Sequence, residues 1–259
     1  MKLPGFLKAK APSKAAARRL PQAPAGMRIY AIGDIHGQLE LLDKLHYEIE
    51  ADAAVGNPLQ RILVYLGDYV DRGISTRGVV ERLLKGPLPG FRAVYLKGNH
   101  EQAVLDFLDD PSFGVQWANF GGLETLHSYG VENAAQLSKP AEFFAAADLF
   151  FQRLPSEHLR FLKSLQTSVT LGDYFFVHAG VKPGVPLARQ EEEDMLWIRE
   201  EFLESAEDFG KIVVHGHTPV PEPEVRTNRV GVDTGAYMTG ILTCVVLEGA
   251  SLRFLQARH

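Results

Sequence analysis

Aspartate, asparagine and histidine recur at the ends of short apolar runs in this chain, each time close to a glycine. The pattern appears in residues 29–37, 64–73, 94–101, 175–180 and 212–219, and it delivers Asp34, His36, Asp68, Asn99, His100, His178, His215 and His217. Carboxylate, amide and imidazole are the ligand types that hard-to-borderline metal ions take. Any one cluster has a plain reading: Gly-Asp is a turn, Asn-His a solvated loop, a strand histidine a hydrogen-bonded core residue. Five together are harder to explain that way. Crowded Asp and His side chains without a shared purpose would go unmatched, at roughly 1–3 kcal/mol each.

The order of the groups suggests how they divide. Asp34-x-His36 places a carboxylate and an imidazole on one side of an extended segment, because side chains alternate at period two. Asp68, Asn99, His178 and the His215/His217 pair follow. This set can furnish two adjacent cations, ~3.5–4 Å apart, of the kind that clamp phosphoryl oxygens during hydrolysis. Their bridge has to be a carboxylate, since a neutral imidazole nitrogen has one lone pair for one ion, and Asp68 suits that place best. Gly33, Gly67, Gly98 and Gly216 each directly precede a candidate ligand, where the strand must stop and the backbone must crowd the site. Arg72 follows Asp71 and offers a forked donor to a phosphate oxygen.

The elements that must position these groups read as alternating strands and helices. Each of the five runs is a buried strand of β-branched and aromatic residues. Leu41, Leu42, Leu45 and Ile49 fall at helical spacing within 39–51, and Ser75 is an N-cap ahead of Val79, Val80, Leu83 and Leu84. A third helix covers 101–108. Residues 111–170 break the alternation, with helices at 140–154 (apolar face Phe143, Phe144, Ala147, Phe151) and 155–165 (Leu159, Leu162, Leu165). Residues 190–202 are a further helix or an irregular acidic stretch. From 211 onward the pattern is mostly strand, at 211–214, 229–233, 241–248 and 251–256. One α/β domain follows, with sheet layers inside and helices outside, and ligands in such folds bind outside the carboxyl ends of strands.

Charge separates the first 26 residues from the rest. That segment holds six Lys and Arg and no Asp or Glu; its +6 against −5 for the whole chain leaves the remainder at −11. The segment reads as a mobile tail, and 27–259 as a single catalytic domain. An acidic body argues against a nucleic-acid partner. No apolar run approaches the ~18 residues of a membrane span. The one cysteine, Cys244, sits in an apolar stretch as a small core residue, and the expected setting is cytoplasmic.

At the polar clusters the chain resembles the calcineurin-like metallophosphoesterases, and within them the phosphoprotein phosphatase branch in its small bacterial or phage-type form. The resemblance rests on Gly33-Asp34-Ile35-His36-Gly37, on Gly67-Asp68-Tyr69-Val70-Asp71-Arg72-Gly73 and on Gly98-Asn99-His100-Glu101. His178-Ala179-Gly180 and Gly216-His217-Thr218-Pro219 are similar to two later histidine motifs. The resemblance covers residues 28 to about 240 and implies a four-layer α/β/β/α sandwich with two mixed sheets and a helical insertion. It implies that Asp34, His36 and Asp68 hold one divalent cation, and Asp68, Asn99, His178 and His217 the other. Mn²⁺ is the first expectation, with Fe, Zn, Co or Ni as alternatives. His217 is preferred to His215 because it directly follows a small residue; His215 then orients a ligand, and the reverse assignment stays open. His100 is similar to the general acid, with Asp71 orienting it. Arg72 and Arg199 are similar to the phosphate-gripping arginines, an ion pair with Glu200 or Glu204 being the plain alternative for Arg199. Residues 233–237 depart from the loop of eukaryotic members, and Tyr237 either overhangs the cleft or packs there.

The activity so implied is hydrolysis of phosphoserine or phosphothreonine in a phosphorylated protein, by direct in-line attack of a metal-activated hydroxide on phosphorus. The alternatives are a bis(5'-nucleosyl)-tetraphosphatase-like dinucleoside polyphosphate hydrolase, similar in the first and third motifs, and a non-catalytic phosphoprotein-binding module.

Overall fold

Strand β1 (Met27–Ile32) is buried on both faces, with Tyr30 and Ile32 turned to one side and Ile29 and Ala31 to the other. The neighbouring strand β2 (Gln60–Tyr65) divides in the same way, Leu63 and Tyr65 against Ile62 and Val64. Strands covered on both faces need near-continuous apolar sequence, which is why these runs lack polar alternation. The computed structural model describes residues 19–56 and 60–259.

With β3 (Arg92–Tyr95), β9 (Ile241–Glu248) and β10 (Ser251–Arg258), these strands form a sheet ordered β10-β9-β1-β2-β3. β1, β2 and β3 run parallel, while β9 pairs antiparallel with both β1 and β10. A second mixed sheet is ordered β4-β5-β6-β8-β7, from β4 (Ser168–Leu171), β5 (Tyr174–Val177), β6 (Ile212–His215), β7 (Glu224–Val225) and β8 (Arg229–Gly231). Here β5, β6 and β8 are the parallel strands. Tyr174, Phe176, Val214 and Val230 meet Ile29, Ala31, Ile62 and Val64 in a core between the sheets.

The outer faces carry the helices. Helices α1 (Leu39–Ala53), α2 (Thr76–Leu84) and α3 (Asn99–Asp109) share the core of the first sheet with an insertion between β3 and β4. The insertion comprises α4 (Gly114–Asn119), α5 (Gly122–Ser128), α6 (Pro140–Arg153) and α7 (Ser156–Ser164). The short helices α8 (Glu192–Trp197) and α9 (Glu200–Leu203) place Met195 and Phe202 against Phe175, Val177 and Val213 on the other sheet. The expected four-layer sandwich with two mixed sheets and a helical insertion is therefore observed. Among the described residues no helix is long and apolar enough to cross a membrane. Cys244 is buried in the helix-facing core of the first sheet.

Several local expectations change. Helix α6 buries Phe143, Ala146, Ala147 and Phe150, whereas Phe144 and Phe151 are exposed. The true stripe is shifted round the helix from the expected one, because the apolar arc opposite Glu142, Asp148, Gln152 and Arg153 is wide and packing chose one part of it. Helix α7 buries His158, Phe161 and Leu162, with Leu159 only half-buried. Ser75 does precede α2, but its side chain caps no backbone N–H. Of the expected tail, residues 1–18 lie outside the described residues. The remainder is tied to the body: the backbone N–H groups of Gln22 and Ala23 donate to Asp173 and to the Gly249 carbonyl, and Arg19 pairs with Asp173.

One buried histidine of this frame links stability to pH. His46 on α1 lies 2.9 Å through Nε2 from the Tyr65 hydroxyl, and burial lowers its pKa to about 4. The unfolded chain protonates this ring near pH 6.5, so between those values the unfolded state binds the extra proton. Stability is expected to fall as pH drops through that window, by about 2 kcal/mol between pH 7 and pH 5 for this group. Urea unfolding of His46→Gln at the two pH values should show a loss smaller by that amount.

Candidate active site

The carboxyl ends of the parallel strands from both sheets open into one space. β1 delivers Asp34 and His36, β2 delivers Asp68, and β3 runs on into α3, whose first residues are Asn99 and His100. From the second sheet, β5 delivers His178, β6 delivers His217, and β8 leads to Asp233. All eight of these polar side chains are buried.

Getting them there requires unusual backbone. His36, Asp68, Asp71, Arg72 and His217 all have positive φ, between 44° and 67°, and Asn133 is the only other non-glycine residue so placed among the described residues. The left-handed region is costly for residues with a Cβ and is held only where surroundings dictate it. Asp34 and His36 therefore do not converge by strand alternation, as their spacing suggested. β1 ends at Ile32, and the chain turns so that the N–H groups of Ile35 and His36 both donate to the Asp68 carbonyl, at 3.0 and 2.8 Å. The glycines have a more specific reason than crowding alone. A Cβ at Gly98 would collide with the Asp68 carboxylate, and one at Gly216 with that of Asp34.

Asp68 stands at the centre. Its Oδ2 lies 3.5 Å from His36 Nε2 and 3.7 Å from His100 Nε2, and its Oδ1 lies 3.4 Å from His178 Nε2. Two groups of ligand atoms within 4.8 Å of one another share it: His36, Asp68 and His100, and Asp68, His178 and His217. Asn99 Oδ1 joins the second group, 2.9 Å from His178 Nε2 and 2.8 Å from His217 Nδ1. Asp34 accepts the His217 backbone N–H at 3.0 Å.

These residues suit divalent cations. His36 and His178 direct Nδ1 to the carbonyls of Val70 and Leu66, which leaves Nε2 as the lone-pair nitrogen. Nε2 of His36 and of His217 are buried with no hydrogen-bond partner. Burial, then repulsion from neighbouring carboxylates, holds Asp34 and Asp68 well above the usual carboxylate range. Burial also pushes His178 down to about 3 and depresses His36 and His217. Unpaired charges are disfavoured here, and a cation of opposite sign would restore the carboxylates.

The remaining expected residues are distributed around this centre. His100 Nδ1 lies 2.7 Å from Asp71 Oδ2. Arg72 is half-buried beneath the ring of Tyr237, 4.6 Å from its centroid, and Tyr237 also edges His36 at 5.3 Å. Tyr237 thus packs on both of these residues at the edge of the cluster. Arg199 sits between α8 and α9, not on a surface helix. The break turns its guanidinium inward, where it donates to the His217 carbonyl and to Thr218 Oγ1, at 3.3 and 3.2 Å. His215 is the last residue of β6 and faces away from the cluster onto Phe202, with ring centroids 5.0 Å apart. A separate cavity of about 510 Å³ opens at the far ends of β5 and β6 and touches none of these residues.

A family model described as calcineurin-like phosphoesterase matches residues 27–240. Bis(5'-nucleosyl)-tetraphosphatase PrpE [asymmetrical] of Geobacillus sp. (strain WCH70) is 30% identical over 84% of this chain and 89% of its own length. The protein of that name from Halalkalibacterium halodurans is 28% identical over 85% and 89%. Among solved structures, one provisionally described as a diadenosine tetraphosphatase has a TM-score of 0.61 at 19% identity, covering 92% of this chain and 99% of that one. A cold-active protein tyrosine phosphatase gives 0.54 at 15% identity, over 90% and 81%.

Four residues not singled out by sequence reasoning surround the site: Asp233, Trp117, Thr125 and Glu101. Asp233 lies against Asp34 and accepts the Gly235 N–H. Glu101 is fully buried, and its two oxygens accept the backbone N–H groups of Asp68, Tyr69, Val70 and Gly98 at 2.8, 2.7, 3.3 and 2.9 Å. This one carboxylate holds the loop of Asp68 to the turn of Asn99. Glu101→Gln turns an N–H₂ toward part of that set and is expected to lower the unfolding free energy by about 1–3 kcal/mol, with Glu101→Ala losing more. Urea unfolding of the metal-free protein checks the order.

Proposed function

The chain belongs to the calcineurin-like phosphoesterase family, and within it we propose that it hydrolyses a phosphoanhydride of a dinucleoside polyphosphate, as a bis(5'-nucleosyl)-tetraphosphatase. The observation that carries hydrolysis at phosphorus is Asp68 shared by two buried ligand groups, with Arg72 and Arg199 beside them. The choice of substrate is supported by the likeness to tetraphosphatases over most of both chains. It reverses the order suggested by the sequence motifs, which put a phosphoprotein first.

Asp34, His36 and Asp68 would hold one divalent cation, and Asp68, Asn99, His178 and His217 the other, with manganese the first expectation. Such a pair activates water and screens phosphoryl charge. The protein's own groups do the rest. Arg72 and Arg199 are the fixed cationic donors for phosphate oxygens whose charge shifts in the transition state. Tyr237 holds the Arg72 guanidinium against its ring and keeps it from swinging into solvent. His100 keeps its Nδ1 proton on Asp71 and turns Nε2 toward the reacting centre. Burial, then Arg72 and Arg199, lower this ring to about 3; a phosphate dianion brought against it acts in the opposite sense. A cytoplasmic location belongs to the same proposal.

One observation favours a second reading, hydrolysis of a phosphomonoester such as phosphoserine or phosphothreonine in a protein. A departing phosphate, with a second pKa of about 6, is a weak base and needs little help from an acid. An alkoxide does need it, and here the His100–Asp71 pair is fully formed.

Parallel assays with Mn²⁺ on diadenosine tetraphosphate and a phosphoserine peptide separate the two. The expected result is a higher kcat/KM on the dinucleotide, releasing nucleoside triphosphate and monophosphate. Turnover of the peptide alone would establish the second reading. No turnover of either, or of p-nitrophenyl phosphate, would return the chain to a binding module. In metal analysis, His217→Ala is expected to lose about one of two ions, while His215→Ala keeps both. The reverse result would overturn the ligand assignment.

A further inference from the structure

We propose that Trp117 and Thr125, both from the helical insertion, are positioning residues that set the His100 imidazole through Asp71. The inference rests on His100 as the group that protonates the leaving oxygen. Asp71 Oδ2 accepts two hydrogen bonds, from His100 Nδ1 at 2.7 Å and from Trp117 Nε1 at 2.9 Å. Its Oδ1 accepts one from Thr125 Oγ1 at 2.6 Å, while the Asp71 backbone N–H donates to that same Oγ1 at 2.9 Å. The hydroxyl therefore grips both the side chain and the main chain of a residue held at φ 67°. Neither Trp117 nor Thr125 comes from a glycine motif, and all of these groups are buried.

A carboxylate has about four lone-pair sites, and three are occupied here in fixed directions. The plane of Asp71 is thus determined before His100 binds to it. That plane in turn selects the Nδ1–H tautomer and aims Nε2 at the centre. The indole is itself immobile. It packs 4.6 Å from Phe107 and 6.1 Å from Phe150 between ring centroids, and Gly122 lies against it with no room for a Cβ. Burial raises the Asp71 carboxyl to about 7, against the lowering effect of the Thr125 and Trp117 bonds. Without those bonds a buried carboxylate would have little reason to stay in this orientation.

Trp117→Phe removes one N–H and keeps the ring stack; Thr125→Val removes the hydroxyl and keeps the shape. Across aryl phosphates of graded leaving-group basicity, both variants are expected to lose roughly 10–100-fold on the most basic leaving groups. p-Nitrophenyl phosphate, whose leaving group needs little protonation, should be nearly unaffected, and metal content unchanged. Thr125→Ser should restore the wild-type dependence. In a His100→Asn background, Trp117→Phe should add no further loss, since the two act as one unit. Independently of turnover, the His100 Nδ1 proton of metal-free, ¹⁵N-histidine-labelled protein should exchange with water several-fold faster in both variants. Equal losses on all leaving groups, an additive loss with His100→Asn, or unchanged proton exchange would overturn the inference. Failure of the acid assignment reads differently, because His100→Asn would then itself lose no selectivity for basic leaving groups.

Discussion

Asp68 has to present two oxygens to two different sets of neighbours inside a buried space, and most irregularities of the chain serve that demand. Its Oδ2 faces His36 and its Oδ1 faces His178, so the residue lies between groups carried by different sheets. A left-handed backbone turns the side chain inward. Glu101 fixes that backbone by taking the N–H groups of residues 68, 69 and 70, and a fourth from Gly98. The Asp68 carbonyl then receives Ile35 and His36, which fastens the end of β1. Three motifs distant in sequence are thus coupled by the main chain around one side chain. Strain of about 1–3 kcal/mol at each left-handed residue persists only because these bonds over-determine it.

The electrostatics express the same arrangement. Asp34, Asp68 and Asp233 crowd together with imidazoles but no Lys or Arg at ion-pair distance among the described residues, and burial raises all three, Asp233 to about 6. The imidazoles opposite are depressed for the same reason. A structural core would gain nothing from such a grouping, since replacing buried ionisable groups with apolar ones is often neutral or stabilising. Groups that repel one another when charged, yet converge on a common space with bare lone pairs, suit a cation as the missing partner.

Much of this was legible in the sequence, and the exceptions have physical causes. Continuous apolar runs identified β1, β2 and β5 because both faces of each strand are covered. Glycines marked the strand ends because no Cβ fits there, against a carboxylate at Gly98 and Gly216 and against main chain at Gly33 and Gly67. His217 could be preferred to His215 by its neighbour, and alternation along β6 turns His215 away. Short elements were not legible: β7 has two residues, and α4 and α5 carry too few turns to show a period. The buried face of α6 was misplaced because its apolar arc is wide enough to offer more than one face. Trp117 and Thr125 gave no signal, since a tryptophan in a helical segment reads as core and a threonine as surface. Their function depends on two hydrogen bonds to a residue about 50 positions away, a separation that no local pattern encodes.

The two halves of the site have different structural origins, and this bears on the range of reactions the scaffold can serve. The proposed ligand half comes from residues that follow strands of the paired sheets, with Asn99 at the first residue of α3, so its geometry follows largely from the layers themselves. The half proposed to supply the acid joins His100 at the start of α3 to a carboxylate held by an insertion that the sheets do not require. An anhydride with a weakly basic leaving phosphate draws mainly on the first half, whereas an alkyl ester draws on both. Under the proposed roles, changes in the insertion would retune which leaving groups depart easily while leaving the proposed cation ligands in place. Among proteins that share the sheets, the helices between β3 and β4 are where such selectivity can diverge at least cost to the fold.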